Sequence, residues 1–352
     1  MHNLHEKLIL YISIIGLMLG LLACSSGQYT NSVSQNNEEI PQEDTILVGF
    51  SQLGAESDWR SANTISMKDT FAADPRYKLI FEDGQQKQAN QITAIRKFIQ
   101  QDVDYIVLAP VTEEGWDTVL EEAKEAGIPV ILVDRMISVE DDSLYTCFVG
   151  SDFALEGQKL TTWLYEYTKT KGIESDTINI VNIQGSLGST AQIGRTESLR
   201  EAVKEYGWNL LEERSGEFTE TKGKEVMASL LQKYDNINVV YCENDNEAYG
   251  AIMAIEAAGK KVGSRIDRGE IMVLAFDGVS DEAIEYVKEG KITCIAECNP
   301  LHGPRVHSII TTLNVGGQPE KISYVKEGII TADNTISTIK IDGESYDITI
   351  LE

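Results

Sequence analysis

Short runs of apolar residues alternate with longer amphipathic stretches along most of the chain. The run at 129–133, Pro-Val-Ile-Leu-Val, has the unbroken apolar and β-branched character of a strand buried in a parallel sheet. Strands are predicted at 45–50, 77–81, 104–109, 129–133, 145–149, 178–183, 209–213, 238–242, 271–276 and 292–296. Helices are predicted between them at 58–73, 86–101, 115–126, 153–170, 190–206, 221–234, 246–258, 280–288 and 301–313.

This order of elements predicts an α/β fold with two similar Rossmann-like lobes. Strands separated by helices of this length form βαβ units, and such units build parallel sheets. A chain of 352 residues is long enough for about two domains. We expect one lobe to comprise 45–149 and about 299–325, and the other to comprise 150–298 and about 326–352.

The N-terminal residues have the pattern of a secretory signal. Lys7 precedes an apolar run that ends in Leu21-Leu22-Ala23-Cys24, and small residues follow. The run has 16 residues, fewer than the roughly 20 of a spanning helix, which disfavours the alternative of an uncleaved membrane anchor. Leu-Leu-Ala-Cys resembles a bacterial lipobox, which implies removal of a signal peptide, 1–23, and lipid on the sulfur of Cys24. Residues 24–44 are polar and are expected to form a flexible tether.

Polar and charged residues follow most of the predicted strands. Asp134 and Arg135 follow the strand at 129–133. Ligands bind at the carboxyl ends of strands in open α/β sheets, and an Asp acceptor beside a planar Arg donor suits the hydroxyl groups of a small polyol. For this pair taken alone, a salt bridge at the strand end is the alternative. Similar groups follow other strands at 51–60, 83–86, 184–186 with Arg195, 243–246, 277–278 and 297–299.

Some of these polar residues have a simpler explanation. Asp58, Asp245 and Ser280 are expected to be helix N-caps, because Asp, Asn and Ser favour that position. Trp59, beside Arg60, offers a flat aromatic face to the C–H surface of a sugar ring, and ordinary core packing is the alternative.

Composition and motifs argue against several other functions. A net charge of −26 disfavours nucleic acid and anionic membrane surfaces as partners. Two of the four His residues, His2 and His5, lie in the signal, so little remains for a His-based metal site or catalytic triad. The glycine-rich turn at 185–190 lacks the Lys of a P-loop, and the chain has no GxSxG motif. We therefore expect a protein that is not an enzyme and has no cofactor or metal.

Four cysteines without CxxC spacing are expected to be buried thiols: Cys147, Cys242, Cys294 and Cys298.

Seven segments resemble the sugar-binding subunits of bacterial ABC importers, in the ribose- and galactose-binding group of the type I periplasmic-binding-protein family. They are VGFSQLGAESDWR, FEDGQQKQANQITAIRKFIQQDVDYIVLAPV, GWDTVLEEAKEAGIPVILVDR, GSLGSTAQIGR, SGEFTETKGKEVM, ENDNEAYGAIMAIEAAG and AFDGVSDEAIEYVKEG. The resemblance covers about residues 45–315 and implies two lobes with parallel sheets joined by a hinge. The tail departs from it, because 322–352 is predicted as short strands with a turn at Asp342-Gly343, where the family is expected to end in a helix-like segment.

The resemblance also implies a set of sugar-binding residues. Asp134 and Arg135 match the Asp-Arg pair that holds sugar hydroxyls between the lobes. Phe218 matches an aromatic residue that stacks on the sugar, and Glu297 stands where many relatives have Gln. The remaining matches are the first-strand loop of galactofuranose-type members (Glu56, Trp59 and Arg60) and three residues of the second lobe (Arg195, Asn244 and Asp277).

The function that the resemblance implies is that of an extracytoplasmic solute-binding lipoprotein. It would capture a monosaccharide, galactofuranose- or galactose-like, and deliver it to an ABC permease with its ATPase. We expect a monomer, anchored to the cell membrane through lipid on Cys24, that closes over the sugar about hinges near Val149-Gly150 and Cys298-Asn299. The alternative is a sugar sensor that presents its closed form to a membrane histidine kinase or chemoreceptor, because both functions depend on the same closure.

Overall fold

The computed structural model describes residues 45–352. The predicted signal peptide, lipidation site and tether lie outside these residues. In the described part, no helix has both the length and the apolar character that crossing a membrane requires.

The strands are β1 Ile46–Gln52, β2 Tyr77–Asp83, β3 Tyr105–Leu108, β4 Val130–Asp134, β5 Cys147–Gly150, β6 Asn179–Gln184, β7 Asn209–Ser215, β8 Val239–Cys242, β9 Met272–Asp277, β10 Cys294–Glu297, β11 Ile322–Tyr324, β12 Ile329–Thr331, β13 Thr338–Ile341 and β14 Glu344–Ile350. The helices are α1 Asp58–Ala72, α2 Gln88–Gln100, α3 Asp117–Glu125, α4 Phe153–Thr170, α5 Thr190–Tyr206, α6 Glu220–Lys233, α7 Asp245–Ala257, α8 Asp281–Lys288 and α9 Gly303–Asn314.

The strands form two sheets that repeat one topology. The first has the order β11-β5-β4-β3-β1-β2 and is parallel throughout. The second has the order β13-β14-β12-β10-β9-β8-β6-β7, in which β6 to β10 repeat the order of β1 to β5. Its β10–β12 and β13–β14 pairs are antiparallel. The predicted α/β fold with two Rossmann-like sheets is therefore confirmed.

Each sheet is buried on both faces. Along β4, Val130 and Leu132 pack into one apolar cluster with α2 and α3, whereas Ile131 and Val133 pack into the opposite cluster with α1 and α9. Successive strand residues point to opposite faces, so a strand covered on both sides has to be apolar throughout. This explains why 129–133 has no polar residue until the strand ends at Asp134.

The chain crosses between the two sheets three times. The crossings are residues 151–152 between β5 and α4, 298–302 between β10 and α9, and 325–328 between β11 and β12. Gly150, just before the first crossing, does not have a positive φ. Instead, a Cβ at this position would lie 2.6 Å from the carbonyl oxygen of Asp134. Glycine is therefore required here by close packing and not by an unusual backbone angle.

The predicted elements are all present, with ends within two residues of the predicted ones. The tail forms strands as predicted, and its turn places Asp342 and Gly343 at φ of 50° and 86°. Of the three predicted N-caps, only Ser280 is one. Asp58 and Asp245 are the first residues of their helices, and the preceding residues, Ser57 and Asn244, provide the caps.

Candidate functional site

A small cavity lies between the two sheets, with about 290 Å³ of empty space when the part open to solvent is included. Its walls come from loops and helix starts that follow the carboxyl ends of strands in both sheets, which is where α/β sheets bind ligands. The lining residues are Glu56, Ser57, Trp59, Arg60, Asp134, Arg135, Phe153, Ala191, Arg195, Phe218, Asn244, Asp277 and Cys298.

Arg60 organises the wall that the first sheet provides. This buried guanidinium donates from Nη2 to Asp134 Oδ2 at 2.6 Å and from Nε to Glu56 Oε1 at 3.2 Å. Its Nη1 also donates to Gln52 Oε1 at 3.3 Å. Burial by itself lowers the pKa of Arg60, but the attraction of Asp134 and Glu56 outweighs burial and raises it. Arg60 is therefore a fixed cation that holds two carboxylates in place.

Arg135 is buried but is paired more loosely. Its Nη2 lies 3.7 Å from Glu56 Oε1, its Nε lies 3.8 Å from Asp134 Oδ2, and its Nη1 donates to the carbonyl oxygen of Val111 at 3.4 Å. Burial, and then repulsion by Arg60, lower the pKa of Arg135 to about 10. Its Nε has no hydrogen-bond partner among the described residues. Arg135 therefore has donors left for a ligand.

Arg195, on α5, plays the corresponding part in the second sheet. Its Nε donates to Glu156 Oε2 at 2.9 Å, its Nη2 lies 3.4 Å from Asp277 Oδ1, and its Nη1 donates to the carbonyl oxygen of Glu243. Burial raises the pKa of Asp277, and the charge of Arg195 opposes that rise. Arg195 is thus held in place by protein contacts in the same way as Arg60.

The two Arg–Asp pairs occupy equivalent places in the repeated topology. Asp134 ends β4 and Asp277 ends β9, the fourth strands of their runs. Both have a left-handed backbone, with φ of 69° and 97°. Such angles are uncommon for residues other than glycine, and they concentrate at functional sites. Each sheet therefore presents to the cavity an Asp whose backbone is left-handed.

Aromatic side chains cover the remaining walls. Trp59 packs with Phe153, Phe218 and Cys298 in a buried cluster that joins both sheets. Its indole nitrogen donates to the carbonyl oxygen of Cys298 at 2.8 Å, and the guanidinium of Arg60 lies 4.6 Å from the ring centre. Core packing is thus confirmed for Trp59, which also lines the cavity, and contact of its ring with a sugar stays a prediction.

The position of Phe218 is held by three neighbours. Its backbone nitrogen donates to Glu247 Oε1 at 2.9 Å, and its carbonyl oxygen accepts from Asn244 Nδ2 at 3.0 Å. Its φ is 60°, again left-handed. The ring lies directly against Gly185, where a Cβ would come within 1.9 Å of a ring atom. Arg135, from the first sheet, lies 5.4 Å from the centre of the ring.

The charges of the lining are balanced. Three guanidinium groups face three carboxylates, from Arg60, Arg135, Arg195, Glu56, Asp134 and Asp277. A charged ligand would disturb this balance in a buried site, where an unpaired charge is costly. Glu56 Oε2 and Arg135 Nε lack hydrogen-bond partners among the described residues. They provide an acceptor and a donor of the kind that a hydroxyl group can use.

Nine of the ten predicted sugar-binding residues line this cavity, although their role stays a prediction. The exception is Glu297, whose Oε2 accepts from the backbone nitrogen of Gly328 at 3.1 Å. It lies beside the neighbouring strand β12 instead of at the cavity. Asn244 serves twice, since it also caps α7 by accepting from Glu247 N at 2.8 Å.

Sequence reasoning missed several residues of the site. Phe153 directly follows the first crossing and Cys298 begins the second, so a position at a hinge was the available signal for them. Ser57, Ala191 and the buried Glu156 carried no chemical signal in the sequence. The four cysteines of the described region are free and buried, as predicted.

One group of potential metal ligands lies beside the cavity. Ligand atoms of Glu156, Cys298 and Glu327 lie within 4.8 Å of one another. Arg195 already pairs with Glu156, and Lys159 Nζ lies 2.7 Å from the carbonyl oxygen of Glu327. Two fixed cations next to the group disfavour a third, so it does not have the electrostatics of a metal centre.

Several known proteins are similar to this chain in both sequence and fold. The chain is 40% identical over 293 residues to the galactofuranose-binding protein YtfQ of Escherichia coli (strain K12), covering 82% of this chain and 88% of that protein. A Mycobacterium smegmatis protein in complex with β-D-fucofuranose is 36% identical with a TM-score of 0.76, covering 81% of this chain and 90% of that one.

A third similar protein is the periplasmic binding component of the arabinose ABC transporter of Shewanella sp. ANA-3, bound to α- and β-L-arabinofuranose. It is 38% identical with a TM-score of 0.74, covering 80% of this chain and 91% of that one. Residues 48–301 match the family described as periplasmic binding protein domain. The chain therefore belongs to the periplasmic-binding-protein family, whose members bind substrates and are not defined by catalysis.

Proposed function

We propose that this protein captures a neutral monosaccharide in the cavity between two lobes and delivers it to an ABC permease. The observation that carries the proposal is the charge-balanced lining, in which buried Arg–Asp pairs of both sheets face one small space. Fixed guanidinium and carboxylate groups offer donors and acceptors for hydroxyl groups, and the aromatic walls suit the C–H faces of a sugar ring.

The sugar in this proposal is in its furanose form and is galactofuranose-like. Three similar proteins are named for, or contain, galactofuranose, β-D-fucofuranose and L-arabinofuranose. The empty space is about 290 Å³ even with the part open to solvent included, which leaves no room for an oligosaccharide. All three of these proteins match over at least 80% of this chain.

Closure of two lobes is the mechanism in this proposal. The lobes would be 45–149 with about 299–325, and 150–298 with about 326–352, each containing one of the sheets. Neither set of walls alone surrounds the cavity, since Arg60 and Asp134 lie on one side and Arg195 and Asp277 on the other. A ligand that contacts both sides stabilises the closed arrangement by its differential affinity. The closed shape is what the permease would recognise.

In this proposal the protein is a monomer held at the outer face of the cell membrane by lipid on Cys24. Support comes from the sequence, in which Leu21-Leu22-Ala23-Cys24 ends an apolar run and a polar stretch follows. A tether of residues 24–44 would leave the lobes free to reach the permease.

Calorimetry with a galactofuranoside, L-arabinose, D-galactose, D-ribose and D-galacturonate tests the function. We expect one site per chain, the tightest binding for the furanoside or arabinose, and weak binding of the acid because it disturbs the charge balance. Scattering with saturating sugar should show a smaller radius of gyration, and the melting temperature should rise. Absence of binding by every neutral sugar, or preference for galacturonate, would contradict the proposal.

A further inference from the structure

We infer that Glu327 is a positioning residue of the hinge, whose carboxylate joins the three crossings and sets how the two lobes meet. The inference rests on the proposed function, because closure of two lobes gives the hinge its importance. It concerns a residue that does not line the cavity.

One oxygen atom makes the connection. Glu327 lies in the third crossing, at 325–328. Its Oε1 accepts from Ser151 Oγ, in the first crossing, at 2.7 Å. The same Oε1 accepts from the backbone nitrogen of Asn299, in the second crossing, at 2.7 Å. The three segments that link the sheets are therefore hydrogen-bonded through one carboxylate oxygen.

The backbone at this residue is held as well. Lys159 Nζ, on α4, donates to the carbonyl oxygen of Glu327 at 2.7 Å. The carboxylate thus reaches the other two crossings from a backbone that is attached to the second sheet's first helix. A side chain anchored in this way can fix the distances between the three crossings.

The connected segments lead directly to the cavity. Cys298 precedes Asn299, and its Sγ lies 3.4 Å from Ser151 Oγ. The carbonyl oxygen of Cys298 accepts from the Trp59 indole, and its backbone nitrogen donates to the carbonyl oxygen of Asp277 at 3.1 Å. Cys298, one residue before the contact with the carboxylate, therefore binds Trp59 on the first sheet's side of the cavity and Asp277 on the second sheet's side.

Loss of this connection should widen the range of lobe arrangements. If fewer molecules occupy the arrangement that binds, the apparent dissociation constant rises by the inverse of that fraction. The factor is the same for every sugar, because no ligand contact has changed. A substitution that alters the cavity itself would instead change the preference among sugars.

Glu327→Gln and Glu327→Leu form the central comparison. Gln keeps the acceptor oxygen that Ser151 and Asn299 use, whereas Leu removes it at similar size. Burial raises the pKa of Glu327, so a neutral amide is a fair replacement. Glu270→Leu is the matched control, because Glu270 is also buried and accepts from a backbone nitrogen, that of Arg265 at 2.9 Å, but this contact lies within one lobe and away from the crossings.

The readouts are small-angle scattering without sugar and calorimetry with two sugars. We expect Glu327→Leu to broaden the apo distance distribution and to weaken binding of both sugars by the same factor, roughly threefold or more. Glu327→Gln and Glu270→Leu should match the wild type in both readouts. Ser151→Ala, which removes one of the two contacts of Glu327 Oε1, should shift both readouts in the same direction by less, and it decides the question if the Leu variant does not fold.

The inference is overturned if Glu327→Leu changes the melting temperature but neither readout, if Glu327→Gln behaves like Glu327→Leu, or if Ser151→Ala has no effect. A change in the ratio of the two affinities would also contradict it. If the wild type binds no sugar, the proposed function fails, and the scattering of the apo variants still decides the role of Glu327.

Discussion

Asp58 and Asn246 exchange two hydrogen bonds between helices of different sheets. The backbone nitrogen of Asp58 donates to Asn246 Oδ1 at 3.1 Å, and Asn246 Nδ2 donates to Asp58 Oδ2 at 3.3 Å. Neither residue lines the cavity. This pair therefore stabilises the observed arrangement of α1 and α7 without touching a ligand.

Asn246→Ala should weaken the binding of every sugar by a similar factor. The variant loses both hydrogen bonds, which at a solvent-exposed contact amounts to about 1 kcal/mol, or roughly fivefold in affinity. Calorimetry with two sugars measures it. Asp281→Ala is the control, since Asp281 is an exposed first residue of α8. An unchanged dissociation constant for Asn246→Ala would show that these hydrogen bonds do not contribute to closure.

Arg135→Ala and Arg195→Ala should both lose affinity but differ in stability. Each loses charged hydrogen bonds worth about 1.5–3 kcal/mol, at least roughly tenfold in affinity. Arg195 is bound to Glu156 and to the carbonyl oxygen of Glu243, so its loss also leaves buried partners unpaired. The looser contacts of Arg135 predict a smaller drop in melting temperature. Arg200→Ala, on the exposed side of α5, is the control; unchanged affinity in both cavity variants would refute the site.

Cys24→Ala should release the protein from membranes and leave sugar binding intact. The reason is that only the sulfur of Cys24 would carry lipid, whereas the cavity lies within residues 56–298. Fractionation of the native cell followed by calorimetry measures both properties. Wild-type protein found unlipidated in the soluble fraction would contradict the anchor.

Much of the site was predictable because the end of a buried parallel strand shows in the sequence as the first polar residue after an apolar run. Asp134 interrupts a run without polar residues, and Asp277 follows IMVLAF in the same way. Glu297 lies outside the cavity lining, because β10 is paired with β12 and the carboxylate of Glu297 contacts Gly328 beside that strand. The partners of Glu297 come from a distant segment that its own strand pattern does not indicate. Sequence periodicity reports burial but not the lateral neighbour of a strand.

The connection made by Glu327 was not predictable for the same reason. It depends on contacts with Ser151 and Asn299, which are distant in sequence. Two N-cap predictions were wrong by one residue, since Ser57 and Asn244 cap the helices for which Asp58 and Asp245 were expected. Two adjacent residues with similar capping propensity cannot be ranked by sequence alone.

Gly185→Ala should displace Phe218 and weaken sugar binding. Its Cβ would lie 1.9 Å from a ring atom of Phe218, so the ring has to move out of its place beside the cavity. Gly188→Ala in the same loop is the control. Gly188 has a φ of 81° and open space around it, so that variant should lose about 1 kcal/mol of stability but little affinity. In a Phe218→Ala background, Gly185→Ala should have no further effect; a full additional loss there would exclude displacement of the ring as the cause.

Glu243→Gln should flatten the dependence of stability on pH. Burial raises the pKa of Glu243 to about 7, against hydrogen bonds from Thr196, Gly185 and Asn182. Because the folded pKa lies above the ordinary value of 4.5, protonation favours the folded state. This stabilising contribution is complete below pH 4.5 and is lost as the pH rises through 7.

The glutamine variant mimics the protonated carboxyl at every pH. The loss of unfolding free energy between pH 4.5 and 7 should therefore be smaller in Glu243→Gln than in the wild type, by up to about 3 kcal/mol. Asn182 Oδ1 has no partner among the described residues, so its amide can rotate and accept from the new Gln side chain. Urea unfolding at half-unit pH intervals measures the difference. Buried carboxylates whose pKa is shifted by groups other than Glu243, such as Glu327, titrate in both proteins and cancel in the comparison. Parallel stability curves for the two proteins would show that Glu243 is ionised throughout this range.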